Sequence, residues 1–213
     1  MSELEPQPDQ FLSPSETKHW EELPSAKRQF SYLCGRIAAK NALRRLLPAV
    51  DSKSIDIEQG VFTQPVVSSA TAHGLQVSIS HTEGISGAIA FPEKHPMGLD
   101  LETICSGEDH TIRSQLTEKE IKQHRELPYA GAVGYTLMWT IKESLSKVLK
   151  CGLTTPLSVL EIDTINCDGP VLISTFSNFA QYKGLSVILD DVVLSIVLPK
   201  QTDLKLEFLT LKS

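Results

Sequence analysis

Residues 139–153 read WTIKESLSKVLKCGL and contain the clearest helical pattern of the chain. Apolar residues recur at spacings of three and four, which predicts a helix with one apolar face. Glu143 and Lys147 lie one turn apart on the polar side, and Gly152 predicts a C-terminal cap. Taken alone, the stretch predicts a surface helix with an ordinary ion pair. The apolar stripe consists of Leu137, Ile141, Leu145 and Val148.

The overall composition is that of a globular protein. The 213 residues are 41% hydrophobic and 22% charged, enough for one large or two small domains with a sizeable core. A formal net charge of −6 argues against non-specific nucleic-acid binding. The acidic N-terminus lacks the apolar core of a signal peptide, and Asp190 and Asp191 interrupt the most apolar stretch, so no membrane span is predicted. The four cysteines show no CxxC spacing, which favours a reducing, cytoplasmic compartment.

Turn residues and changes in composition predict two halves behind a leader. A helical pattern opens after Pro24 and closes at Pro48, and strand-like alternation follows in residues 75–81. After Pro156 short alternating runs predict a largely antiparallel sheet, with a last strand at residues 204–209. The predicted division is a mobile or loosely packed leader (1–24), an N-terminal subdomain (25–103) and a C-terminal subdomain (104–213).

Two patterns concern anion binding and catalysis. Arg36, Lys40 and Arg44 line up at one-turn intervals in the first predicted helix. Such a stripe is either a solvated face or an anion-binding edge. Ser80 and His81 end a predicted strand, but the segment lacks the G-x-S-x-G turn of a serine hydrolase. The histidine is therefore either a local hydrogen-bonding residue or a phosphate contact.

A pair of carboxylates follows in a strand-like run. Asp100 and Glu102 are two residues apart, so both side chains project from one face of the strand. Such carboxylates repel each other unless a cation neutralises them, and Mg²⁺ prefers oxygen ligands that include substrate phosphates. Glu143 would complete a set of three if its helix packed over the strand end. Plain surface acids are the alternative.

Four segments in order carry a family resemblance: SISHTEG (78–84), MGLDLE (97–102), LTEKE (116–120) and WTIKESLSKVLKCGL. Together they resemble the Sfp-type 4′-phosphopantetheinyl transferases, and GRIAAKNAL (35–43) and GVFTQPVV (60–67) also look like that family. The resemblance runs from about residue 28 to residue 156. It implies an α+β fold of two similar subdomains in a pseudo-twofold arrangement. Each would have a mainly antiparallel sheet and a long packed helix, with coenzyme A in the cleft between them.

The resemblance also implies a reaction. Family members move the phosphopantetheine arm of coenzyme A onto a serine of a carrier protein and release adenosine 3′,5′-bisphosphate. Asp100, Glu102 and Glu143 are the expected Mg²⁺ ligands. Glu143 is also the expected acceptor of the serine proton, directly or through a metal-bound water, and Lys147 is expected to contact the phosphates.

The remaining expected contacts lie in the first half. Arg36 and His81 are expected at the 3′-phosphate, with His81 counted among the catalytic residues. Ser80 is expected near the phosphates, and Lys40 one turn beyond Arg36. The expected partners are coenzyme A and an acyl, peptidyl or polyketide carrier protein, and the protein is expected to be a monomer. Two alternatives are a relative that binds coenzyme A or a carrier without catalysis, and a Mg²⁺-dependent pyrophosphohydrolase.

Overall fold

A computed structural model describes residues 7–105, 107, 109–129 and 131–204 of the chain. These residues form six α-helices and nine β-strands, joined by turns and short 3-10 segments. The helices are α1 (Pro8–Phe11), α2 (Pro14–Glu21), α3 (Ala26–Leu46), α4 (Asp109–Ser114), α5 (Glu118–Glu126) and α6 (Ala132–Leu149). The strands are β1 (Asp56–Gln59), β2 (Pro65–Ser68), β3 (Leu75–Thr82), β4 (Ile85–Pro92), β5 (Gly98–Thr103), β6 (Ile162–Asp168), β7 (Val171–Phe176), β8 (Tyr182–Leu189) and β9 (Val192–Pro199).

All strand pairs of the described residues are antiparallel. Two hairpins, β1–β2 and β3–β4, precede a five-stranded sheet of order β5-β9-β8-β7-β6. The hairpins of the large sheet turn at Gly169 and Asp190, which take the left-handed conformation with φ of 59° and 49°. The predicted α+β class with antiparallel sheets is confirmed. The strand predicted at residues 204–209 lies outside the described residues apart from Leu204.

A long helix packs on antiparallel strands in each half of the chain. Helix α3 packs on β3 and β4, and helix α6 packs on β5 and β9. Strand β5 pairs with β9 of the large sheet and also lies beside β3, where Leu99 N donates to Ser78 Oγ at 2.9 Å. Strand β5 therefore connects the two halves. The predicted division of the chain near residue 103 stays a prediction.

A buried ion pair fastens helix α3 to the segment before it. Ser13 and Glu16 form a capping box at the start of α2. The Glu16 carboxylate also binds the Lys40 ammonium on α3 and accepts from Ile57 N at 3.2 Å. Lys40 is fully buried and Glu16 is 3% exposed, so both charges depend on this pairing. Desolvation lowers the pKa of Lys40, and Glu16 opposes that shift.

The second half repeats this arrangement. Thr117 and Glu120 form a capping box at the start of α5. The Glu120 carboxylate accepts from the buried Lys142 ammonium on α6 at 2.7 Å and from Ile162 N at 2.9 Å. The carboxylate and the strand amide are 42 residues apart here and 41 residues apart in the first half. Each half thus uses one glutamate to join a helix start, the long helix and the next strand.

The prediction of a loosely packed leader is wrong for residues 7–24. Helices α1 and α2 pack on α3, and Leu12 is only 3% exposed. Lys40 Nζ donates to the Phe11 carbonyl at 2.8 Å, which ties α1 to α3. The segment belongs to the fold because its capping-box glutamate neutralises a buried lysine. Residues 1–6 lie outside the described residues.

Helix α6 differs from the predicted surface helix. It begins at Ala132, and Lys150, with φ of 54°, takes the left-handed C-cap position that Gly152 was predicted to take. Polar residues are buried along with the apolar stripe, because α4 packs on the helix in addition to β5 and β9. An internal helix of this kind is buried on several sides. These buried polar residues are Thr136, Thr140, Lys142, Ser144 and Ser146. In the described part of the chain, no helix has the length and apolar character to cross a membrane.

Candidate active site

A close backbone contact brings α6 onto β5. A Cβ atom at Gly98 would lie 2.1 Å from the Ser144 carbonyl oxygen and 3.0 Å from a methyl group of Val148. Only glycine lets the two backbones approach this closely. Asp100 follows Gly98 by two residues and Glu143 precedes Ser144, so this contact sets the relative position of the two carboxylates.

Lys147 binds three groups at the junction of α6, β5 and β3. Its ammonium donates to Asp100 Oδ1 at 2.8 Å, to the Leu99 carbonyl at 3.0 Å and to the Ile79 carbonyl at 3.3 Å. Ser80 Oγ donates to the same Asp100 oxygen at 2.8 Å. Lys147 therefore pairs with Asp100 rather than with Glu143. Its side chain is 27% exposed and lines the smaller of the two cavities described below.

Two carboxylate oxygens of the site are buried without a hydrogen-bond partner among the described residues. They are Asp100 Oδ2 and Glu143 Oε1. Burial raises the pKa of Glu143 and the Asp100 carboxylate raises it further, while Lys147 acts in the opposite direction. Buried acceptors of this kind are costly unless a cation or a donor satisfies them. The arrangement is therefore poised to bind a positive charge or a proton.

The predicted metal ligands come together only in part. Across the described ranges, no three His, Cys, Asp or Glu side chains are grouped closely enough to hold a metal ion. Glu102 is half-buried on β5, on the same side of the strand as Asp100. The unpartnered oxygens of Asp100 and Glu143 nevertheless fit a hard cation that completes its shell with phosphate oxygens and water. The donor set therefore fits Mg²⁺ with few protein ligands.

Two adjoining cavities lie beside these groups. The larger, of about 760 Å³, is lined by basic side chains of α2, α3 and β3, and the smaller, of about 410 Å³, reaches α6. Thr63, Pro65 and Ile79 line both. Together they suit an elongated ligand with an anionic end in the larger cavity. The basic residues of the larger cavity are His19, Arg28, Arg36 and His81. The smaller cavity contains Glu143, Lys147 and Lys150 beside Phe62, Phe91 and Met97.

The structure separates the residues predicted for anion binding. Arg36 and His81 line the larger cavity, and His81 is exposed there. Ser80 is 7% exposed and faces Asp100. Lys40, in contrast, is fully buried against Glu16 and does not line either cavity. Its ammonium supports the wall of the site instead of contacting a ligand, because α1 and α2 cover that side of α3.

Sequence reasoning missed the residues that surround Arg36. Glu16 lies 3.3 Å from Arg36 Nε, and the Arg36 guanidinium carbon lies 4.4 Å from the centre of the Tyr32 ring. The capping-box spacing of Ser13 and Glu16 could have indicated that the segment is folded. The one-turn spacing of Tyr32 and Arg36 could have indicated their contact.

Comparison with known proteins gives two matches. Enterobactin synthase component D of Salmonella typhi is 33% identical to this chain over 150 residues, which are 65% of this chain and 56% of that protein. The chain therefore spans just over half the length of this relative. The second match covers residues 96–197, which contain β5, α6 and the paired strands of the large sheet. This part of the chain, with Asp100, Glu102, Glu143 and Lys147, matches the 4′-phosphopantetheinyl transferase superfamily.

Proposed function

We propose that this protein transfers the 4′-phosphopantetheine group of coenzyme A to a serine hydroxyl of an apo carrier protein. The reaction would depend on Mg²⁺ and release adenosine 3′,5′-bisphosphate. The observation that carries the proposal is the meeting of Asp100 and Glu143, each with a buried, unpartnered carboxylate oxygen. The position of Glu143 in the wall of the smaller cavity and the superfamily match over residues 96–197 support it.

The two cavities provide a binding arrangement for coenzyme A. The nucleotide end, with its 3′-phosphate, would lie in the larger cavity near Arg36 and His81. Guanidinium groups bind phosphate oxygens through paired, charge-assisted hydrogen bonds. The pantetheine arm would extend into the smaller cavity, where apolar residues such as Phe62 and Met97 lie beside Glu143. The pyrophosphate would then lie where the cavities adjoin.

Asp100 and Glu143 would hold the Mg²⁺, with Glu102 on the same face of β5 as a third proposed ligand once the ion is bound. The ion would offset the charge of the pyrophosphate and of the leaving group. Lys147 holds Asp100 through a hydrogen bond of 2.8 Å and lines the smaller cavity. Its positive charge would therefore also stabilise charge on the phosphate oxygens. Ser80 fixes the same Asp100 oxygen from the other strand. Both contacts use Asp100 Oδ1, and Oδ2 is left without a hydrogen-bond partner among the described residues.

Glu143 is the proposed acceptor of the serine proton. The serine oxygen would attack the phosphorus that bears the pantetheine arm, and the bond from this phosphorus to the bridging oxygen would break. The arm would stay on the serine and adenosine 3′,5′-bisphosphate would leave. Burial and Asp100 raise the pKa of Glu143, and a carboxylate with a raised pKa is a better base at neutral pH.

The partners and the setting follow the same proposal. The acceptor would be an acyl, peptidyl or polyketide carrier protein. The protein would act as a monomer, because both halves of the site come from one chain. Its compartment would be the cytoplasm.

A transfer assay tests the proposal against its alternatives. The protein is incubated with MgCl₂, coenzyme A and apo carriers of the three classes, and the intact carriers are weighed. A mass gain of one phosphopantetheine arm is expected, and Asp100→Ala and Glu143→Ala should abolish it while the variants stay folded. Unmodified carriers with hydrolysed coenzyme A would indicate a pyrophosphohydrolase. Binding of intact coenzyme A without transfer would indicate a non-catalytic relative.

A further inference from the structure

Arg36 is held in the larger cavity from two directions. The face of the Tyr32 ring lies 4.4 Å from the guanidinium carbon, and Glu16 Oε1 lies 3.3 Å from Nε. The Arg36 side chain is 14% exposed, and its Nε is buried at ion-pair distance without a hydrogen bond. Both neighbours also line the cavity. The Tyr32 side chain also hydrogen-bonds to Arg36. The guanidinium N–H groups that Tyr32 and Glu16 do not engage are the ones left for a ligand.

Glu16 is itself immobilised by four groups. Its Oε2 accepts from Ser13 N at 3.0 Å and from the Lys40 ammonium, and its Oε1 accepts from Ile57 N at 3.2 Å while facing Arg36. With 3% exposure, the carboxylate has almost no contact with water. A side chain that is fixed on both oxygens can hold a flexible arginine in one orientation.

We infer that Glu16 is a positioning residue for nucleotide recognition, which orients the Arg36 guanidinium toward an adenosine phosphate in the larger cavity. This inference rests on the proposed function, since it assumes that the cavity binds the nucleotide end of coenzyme A. Glu16 itself does not touch the nucleotide. It acts through Arg36, while Lys40 neutralises the second carboxylate oxygen and contributes to the fold alone.

A purely structural role of Glu16 makes a different prediction. If the glutamate only stabilised the fold, loss of nucleotide affinity would follow loss of stability in every variant. The ion pair with Lys40 allows the two effects to be separated. Glu16→Gln removes both the partner of Arg36 and the counter-charge of Lys40. Lys40→Met removes the lysine but leaves Glu16 with Arg36 and two backbone amides.

The test uses the full chain and direct binding of adenosine 3′,5′-bisphosphate by calorimetry, with Tm recorded for each variant. Glu16→Gln should weaken binding about tenfold, the loss of part of one charge-assisted contact. Lys40→Met should lower Tm by roughly 5–10 °C, as expected for breaking a buried pair, with affinity within about twofold of wild type. The double variant Glu16→Gln/Lys40→Met should regain part of the lost Tm, because the buried glutamate and lysine charges are removed together, but should keep the weak binding.

Two further comparisons locate the effect at Arg36. In an Arg36→Ala background, Glu16→Gln should cause no further loss of affinity, because the residue through which it acts is gone. Coenzyme A should show the same pattern of losses as the bisphosphate.

The outcomes are distinguishable. Affinity that tracks Tm across the three variants, with Lys40→Met as weak as Glu16→Gln, would overturn the positioning role. The positioning role would also be overturned if Glu16→Gln caused the same loss of affinity in the wild-type background and in the Arg36→Ala background. If the wild-type protein binds neither the bisphosphate nor coenzyme A, the proposed function itself fails and the inference falls with it.

Discussion

Replacing Gly98 with alanine perturbs the contact that sets the geometry of the site. The new Cβ would lie 2.1 Å from the Ser144 carbonyl oxygen, whereas Cβ contacts in proteins essentially never fall below 3.0 Å. Strand β5 and helix α6 would therefore have to separate by about 1 Å at this point. The nearest obstacle is a backbone oxygen, so a side-chain rotation cannot relieve the overlap.

The cost follows from this separation. Forced overpacking of a well-packed interior costs about 1–3 kcal/mol. We expect the upper end of this range, because the new Cβ on strand β5 would meet backbone atoms of helix α6. A misplacement of about 1 Å between reacting groups lowers rates about 100-fold. Because Asp100 and Glu143 lie on the two separated elements, we expect Gly98→Ala to lose about 2–3 kcal/mol of unfolding free energy and about 100-fold in kcat/KM.

Urea unfolding and the carrier-transfer assay measure the two effects. Gly87→Ala is the matched control, because a Cβ at this neighbouring glycine would meet only methyl groups of Leu99 and Leu101 at 3.5 and 3.6 Å. It should change stability by less than about 1 kcal/mol and leave kcat/KM near wild type. Wild-type stability of Gly98→Ala would refute the close contact. A destabilised variant that is fully active while folded would refute the coupling of this contact to the site.

Three other predictions concern charges. Asp100→Asn should remove at least about 100-fold of transfer activity with the fold retained, as checked by circular dichroism; activity within tenfold of wild type would contradict the metal site. Glu143→Gln should be more stable than wild type in EDTA at pH 8, because the raised pKa of Glu143 favours its protonated form in the folded state and stability falls as pH rises through that pKa. This gain in stability should vanish when the pH falls below the pKa that Glu143 has in the unfolded chain. A gain in stability that does not change with pH would contradict the raised pKa of Glu143. In urea unfolding, Lys142→Met should lose about 3 kcal/mol of unfolding free energy, because Glu120 is left buried without its cation. The double variant Glu120→Gln/Lys142→Met should recover part of this loss. Equal losses of unfolding free energy in the two variants would argue against the ion pair.

Local patterns predicted the elements of the fold but not the partners of its charges. Alternation and turn residues indicated the strands, which Gly98–Thr103 confirms. Charge patterning did not reveal that Lys40 is buried, because its partner Glu16 lies 24 residues earlier in a segment read as a leader. The three hydrogen bonds of Lys147 likewise involve residues 47 to 68 positions away. Such pairings depend on how helices and strands pack together, and a pattern of one-turn spacings within one helix carries no information about them.

The proposed acidic site itself came from the ordered motifs rather than from any single pattern. Two carboxylates in D-x-E predict a shared strand face, which is observed for Asp100 and Glu102. The approach of Glu143 depends on Gly98, whose role is visible only when α6 lies on β5.

The repeated ion pair indicates how one fold can divide two tasks between similar halves. In each half a buried lysine fixes the long helix, so neighbouring helix positions can be compared directly. Four residues before the lysine, the first half has Arg36 in the larger cavity and the second has Met138 fully buried. One residue after the lysine, the first half has exposed Asn41 and the second has Glu143 beside Asp100. At these two positions the first half thus has a cation that lines the larger cavity, and the second has a carboxylate beside Asp100, which fits the roles proposed for Arg36 and Glu143. Because the proposed site combines Arg36 and Asp100 of the first half with Glu143 and Lys147 of the second, the proposed reaction needs the two halves joined, and β5 joins them.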